Sequence, residues 1–205
     1  MLIQIDPELP ESWLVARAAE VLRRGGVAVI PTDTVYGLAC GISHPEAIER
    51  IYALKQLDPK KPLAILVPDL KVASLYATGI STSVFRMMRR VLPGPYTFIF
   101  EATKDVPRIM LRRRRTIGLR MPANAIVTGL LAELGEPLLT TSVRQPDDQF
   151  LNDPVEIEQR YGAKVNLVID GGVLLPQPST VVDLSGEVPE LVREGKGDVE
   201  ALGMF

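Results

Sequence analysis

Threonine, serine and arginine supply most of the groups in this chain that could do chemistry. In VAVIPTDTVYGL (27–38), Thr32 and Thr34 flank Asp33 where an apolar run stops at Pro31. Thr97, Thr116, Thr140–Ser142 and Ser179–Thr180 fall at the ends of other apolar runs. Strand ends of one sheet can converge on one cleft. Small hydroxyls beside backbone amides suit a carboxylate, a phosphate or a ribose. The same residues also serve as ordinary turn and strand threonines. Arg112, Arg113, Arg114 and Arg115 form an unbroken run. Their mutual repulsion is relieved by an anionic partner, and the guanidinium fork fits phosphate oxygens. Contact with an RNA or DNA backbone follows from that reading. A charged edge strand protected against aggregation is the competing one. Lys55 sits near the end of a helix, with Lys60 and Lys61 after Asp58-Pro59; the cluster could receive phosphates or simply complement the helix C-terminus.

Much other chemistry is excluded. No P-loop and no GxGxxG is present. No GxSxG occurs either. His44 is the sole histidine and stands before a proline at a helix start, a poor member of a Ser-His-Asp triad and a natural surface cap. Cys40 is the sole cysteine, which rules out an internal disulfide and a cysteine zinc cluster, so no permanent metal is expected. The N-terminus lacks the basic and apolar regions of a signal peptide, and no apolar window reaches membrane-spanning length. The expectation is a soluble cytoplasmic protein with no membrane partner. Net charge is −2, yet seven of the eight charged residues between Lys104 and Arg120 are basic. One face of an otherwise acidic molecule is therefore expected to be positive.

The elements that must position these groups alternate along the chain. Helical spacing covers 11–24, 45–56, 81–92, 123–135 and 153–162, with Gly25–Gly26, Pro93-Gly94-Pro95 and Gly135 as stops. Apolar or alternating runs at 27–30, 63–67, 96–102, 116–121, 137–143, 166–170, 179–184 and 189–194 read as strands. Strands dominate after Asn166. The pattern predicts an α/β (α+β) fold: one domain over 1–205, with a twisted mixed sheet carrying helices rather than a strictly doubly wound one.

Several stretches together resemble the YrdC/YciO family. PTDTVYGL (31–38) looks like its PT(E/D)TVYGL signature, and LPGPYTFIF (92–100) like its PGPxT strand. TIGLRMP (116–122), PLLTTS (137–142), STVVDL (179–184) and LVREG (191–195) follow in the family's order over a core of about 12–200. The resemblance implies a YrdC/RibB-like single domain with a concave, positive cleft. It also implies synthesis of threonylcarbamoyl-AMP from L-threonine, bicarbonate and ATP with Mg²⁺, for tRNA threonylcarbamoyladenosine, and binding of tRNA or double-stranded RNA. By the same resemblance, Thr34, Arg120, Thr140 and Ser179 would meet threonine. Lys55, Thr116, Ser142 and Arg193 would meet the nucleotide; Lys61 and Arg144, new cations in this chain, are expected to add charge for its phosphates, and the run Arg112–Arg115 is expected to meet nucleic acid. Departures stand at Leu57, Lys61, Leu66 and Arg144, where the synthases carry arginine, asparagine, histidine and asparagine. They follow the YciO branch and imply weak or altered synthase activity. The alternative is a non-catalytic factor that binds double-stranded RNA, tRNA or the ribosome; removal of a threonylcarbamoyl group is a third reading.

Overall fold

The computed structural model describes residues 1–55, 63–111, 115–145 and 149–203. In chain order it runs β1 (Leu2–Gln4), α1 (Ser12–Arg23), β2 (Ala28–Ile30), β3 (Gly37–Gly41), α2 (Pro45–Lys55), β4 (Ala64–Leu66), α3 (Leu70–Tyr76) and α4 (Thr82–Val91). There follow β5 (Tyr96–Glu101), α5 (Arg108–Leu111), β6 (Thr116–Arg120), α6 (Ala125–Leu134), β7 (Leu138–Ser142) and α7 (Pro154–Tyr161). The chain closes with β8 (Leu167–Asp170), β9 (Thr180–Asp183), β10 (Glu190–Arg193) and a 3₁₀ turn at Glu200–Leu202. All the expected helices and strands are present. Two further strands, β1 and β3, and two short helices, α3 and α5, join them.

Local chemistry sets the helix boundaries. Asp69, Ser81, Asn124 and Asp153 each accept a hydrogen bond from a backbone N–H in the first turn of the helix they precede. Gly135 closes α6 with φ of 75°, a conformation open to glycine at little cost.

The ten strands form a single mixed sheet in the order β1-β8-β2-β3-β7-β4-β6-β5-β9-β10. Pairs such as β4–β6 and β5–β9 are parallel, whereas β3–β7, β4–β7 and β5–β6 are antiparallel. Alternate residues along each strand face opposite sides. On one side Leu38, Ile65, Phe98, Leu119 and Leu139 pack with Ile48 and Ile51 of α2, Met88 of α4 and Ile157 of α7. On the other, Ile30, Ala39, Leu66 and Leu138 are covered by Leu14, Ala18 and Leu22 of α1 and by Ile126, Val127 and Leu130 of α6. These two helices cap only part of their side. The same strand faces continue past them into Gly37, Ala64, Gly118 and Thr140, which line an open cleft.

Candidate functional site

The cleft measures about 880 Å³. Its floor is built from small residues on adjacent strands: Gly37 of β3, Thr140 of β7, Ala64 of β4 and Gly118 of β6. A Cβ added at Gly37 would lie 2.5 Å from Thr140 Oγ1, so the strand surface there has no room for a larger side chain. Around this floor stand Lys55, Arg120, Arg144, Arg160, Lys164 and Arg193, and the described lining contains no Asp or Glu. A lining so rich in cations favours an anionic guest.

One wall is the loop between β2 and β3. Thr32 Oγ1 donates to the Val35 carbonyl at 2.8 Å and accepts from Thr34 N at 3.1 Å, which folds the loop tightly. Arg120 reaches it from β6: Nη2 donates to Asp33 Oδ1 at 2.8 Å and to Thr34 Oγ1 at 2.9 Å. Asp33 Oδ2 accepts from Ala123 N at 3.1 Å, completing the carboxylate's partners. The pair is buried, at 9% and 6% side-chain exposure. Burial pushes the Arg120 guanidinium below its ordinary pKa, while Asp33 opposes that shift. Arg120 Nε is buried with no hydrogen-bond partner among the described residues. Tyr36 ends the loop: its hydroxyl donates to Gly172 O at 2.8 Å and accepts from Gly171 N at 3.0 Å. Burial pushes its phenol up to about 12, so it stays protonated.

The facing wall comes from the end of the chain. Ser179 and Thr97 share a hydroxyl–hydroxyl bond of 2.8 Å. Arg193 Nε and Nη2 donate to the Ser179 carbonyl at 3.0 and 2.8 Å, holding that residue in a fork. Burial lowers the Arg193 pKa, and repulsion from the guanidiniums of Arg144 and Arg120 lowers it further. Three arginines from β6, β10 and the segment after β7 thus oppose one another across one space, a repulsion that a bound anion relieves.

The third side carries Lys55, whose ammonium donates to the Ser142 carbonyl. Arg144 stacks on the Phe150 ring at 4.1 Å and its Nε lies 3.3 Å from Ser142 Oγ. Tyr161 donates to the Arg144 carbonyl at 3.0 Å.

The structure therefore brings Thr34, Lys55, Arg120, Thr140, Ser142, Arg144, Ser179 and Arg193 to one cleft. Thr116 is not among its lining residues: it begins β6 opposite Glu101, one step beyond Gly118 on the same strand face. Leu66 is also elsewhere. It follows Ala64 on that face, but its side chain is fully buried beneath α1 and α6, so its change does not alter the cleft wall. Lys61, Leu57 and Arg112–Arg114 lie outside the described residues. Arg115 is exposed and outside the cleft lining, its carbonyl accepting from Ala102 N at 2.7 Å. His44 stands before α2 with Nε2 3.9 Å from Glu136, also away from the cleft. Sequence reasoning missed Arg160 and Lys164, on and just beyond the last turn of α7, because a cationic helix end reads as ordinary charge complementation. It also missed the role of Asp33. The available signal was an acid among small residues after a buried strand, a position that demands a partner. No described helix is long and apolar enough to cross a membrane.

Comparisons with known proteins show the same family and fold. The family model Sua5_yciO_yrdC, described as "Telomere recombination", matches residues 20–195. The crystal structure of Escherichia coli YciO is 42% identical, covers 98% of both chains and superposes with a TM-score of 0.93. A threonylcarbamoyl-AMP synthase of Chromobacterium violaceum is 33% identical over 89% of this chain and 95% of its own. The crystal structure of Pyrococcus abyssi Sua5 complexed with L-threonine is 28% identical, with a TM-score of 0.89 over 95% of this chain and 57% of that one.

Proposed function

Because the chain belongs to the Sua5/YciO/YrdC family, we propose that its cleft binds L-threonine and an ATP-type nucleotide and handles threonylcarbamoyl-AMP with altered synthase activity. The observation that carries this reading is the cleft lined by six cations and no carboxylate among its described residues, over a floor of glycine, alanine and threonine. The hydroxyls of Thr34, Thr140 and Ser179 offer short donors and acceptors to an amino acid. Lys55, Arg144 and Arg193 supply charge to phosphates. Arg120 meets the threonine carboxylate only while it also holds Asp33 and Thr34, so its first task is to set the loop's shape.

In the synthase reaction the threonine amine and bicarbonate give a carbamate with loss of water, and a carbamate oxygen then displaces pyrophosphate from the ATP α-phosphorus. Positioning and charge neutralisation do the work on such a route. Mg²⁺ belongs to the substrate: with no carboxylate in the described lining, it arrives on the triphosphate. Arg144 occupies the position where the resemblance expects asparagine, and its guanidinium is spread over Phe150. Leu57 stands where the synthases carry arginine. Loss of one preorganised donor of this kind slows chemistry by about 100- to 1,000-fold, which sets the expected scale of the alteration. The alternative of a polyanion-binding factor leans on the run Arg112–Arg115, of which the one described residue, Arg115, lies outside the cleft lining.

The test is pyrophosphate release from ATP by the wild-type chain and by Leu57→Arg/Arg144→Asn. Slow release that requires both threonine and bicarbonate, rising in the double variant, is the expected result. Release indifferent to threonine defeats the reading.

A further inference from the structure

The two walls of the cleft are joined by a residue outside it. Segment 195–197, Gly-Lys-Gly, lies flat against the Ser179 wall. Gly195 N donates to Thr180 Oγ1 at 3.0 Å, and Thr180 Oγ1 donates to Gly197 O at 2.6 Å, so one threonine pins both glycines. Lys196 N donates to the Pro178 carbonyl at 2.8 Å. Tyr96 OH donates to Asp198 O at 3.0 Å just beyond. A Cβ at Gly195 would collide with the Pro178 and Ser179 backbone, and one at Gly197 would come within 2.5 Å of the Tyr96 ring. Lys196 is therefore the sole side chain of a tightly fitted segment. Its ammonium crosses to the opposite wall and donates to the Asp33 carbonyl at 2.6 Å. Asp33 is the residue whose carboxylate holds Arg120, and Arg120 holds Thr34.

We infer that Lys196 is a positioning residue: it braces the Thr34 loop against the Ser179 wall and so sets the fit of the cleft to its amino-acid ligand, more than to its nucleotide. The inference rests on the reading of the cleft as a threonine site. Its backbone is anchored at Pro178 and its ammonium at Asp33, so its length fixes the separation of two segments that meet the cleft at Pro178 and Thr34. The nucleotide-facing cations Lys55 and Arg144 are held separately, through Ser142 and Phe150. Loss of the brace should leave them in place.

Hydrogen-exchange mass spectrometry on the wild type, Lys196→Met and Lys196→Arg, followed by calorimetric titration with L-threonine and with ATP, tests this. In Lys196→Met, peptides covering 31–36 should exchange about fivefold faster while peptides of α6 do not change. That is less than a buried charged hydrogen bond would give, because the ammonium is exposed. Threonine should bind about fivefold more weakly, ATP within about twofold of wild type, and Lys196→Arg should restore both readouts because it can still donate to the carbonyl. Unchanged exchange at 31–36 overturns the brace. Equal loss of both ligands overturns its selectivity and marks Lys196 as a general stabiliser. A wild type that binds no threonine rejects the reading of the cleft instead, and the exchange arm still decides whether Lys196 holds the loop.

Discussion

At the scale of single residues, the account turns on the Arg120–Asp33 pair. Two buried charges gain little net stability from each other, but removing one strands the other. Asp33→Asn leaves the Arg120 guanidinium in the wall without its counter-charge. It should destabilise the fold by about 3 kcal/mol in urea unfolding and release Thr34 from its fixed orientation. A variant as stable as wild type would show that the pair is not structural. Much of this site is legible in the sequence: Thr34, Thr140, Ser142 and Ser179 converge with Arg120, Arg144 and Arg193, whereas Thr116 and Arg115 stay outside the lining. The pairing itself is not, because nothing local to Asp33 shows that residue 120 will lie beside it. Leu66 illustrates the same limit in the other direction. Its alignment with a histidine of the synthases does not reveal that this side chain lies beneath α1 and α6.

At the scale of elements, β3 was the strand most easily overlooked. GLACG (37–41) contains no β-branched or aromatic residue, so propensity argues against it. Pairing on both sides and complete burial override that. Its lack of bulk is what opens the cleft, since Gly37 faces Thr140 across the floor. Gly37→Ala is compatible with a strand backbone but places a methyl against Thr140 Oγ1. It should cost about 1–3 kcal/mol by overpacking and weaken binding of ligand more than it lowers stability. Circular dichroism melts beside ligand titration separate the two effects. Full affinity in Gly37→Ala would show that the ligand does not use this part of the floor.

At the scale of the whole molecule, one open sheet gathers charges from across the chain. Lys55, Arg120, Arg144, Arg160, Lys164 and Arg193 come from α2, β6, the segment after β7, α7, the turn beyond it and β10, in a protein whose net charge is −2. Composition points to a positive face near 104–120, and among the described residues of that group Arg120 alone lines the cleft. The charge of the described cleft is gathered by topology from residues far apart in the sequence. Helices α1 and α6 cap only part of the sheet face and leave the remainder to solvent, so the fold provides a concave site without a second domain.

Recognition of L-threonine by this cleft is what the proposed function requires. Calorimetric titration of the wild-type chain with L-threonine and with L-valine, its counterpart lacking the hydroxyl, tests it most directly. The account predicts saturable one-to-one binding of L-threonine, with L-valine weaker by about tenfold or more because cleft hydroxyls are then left unpaired. No binding of L-threonine, or equal binding of both amino acids, would contradict it.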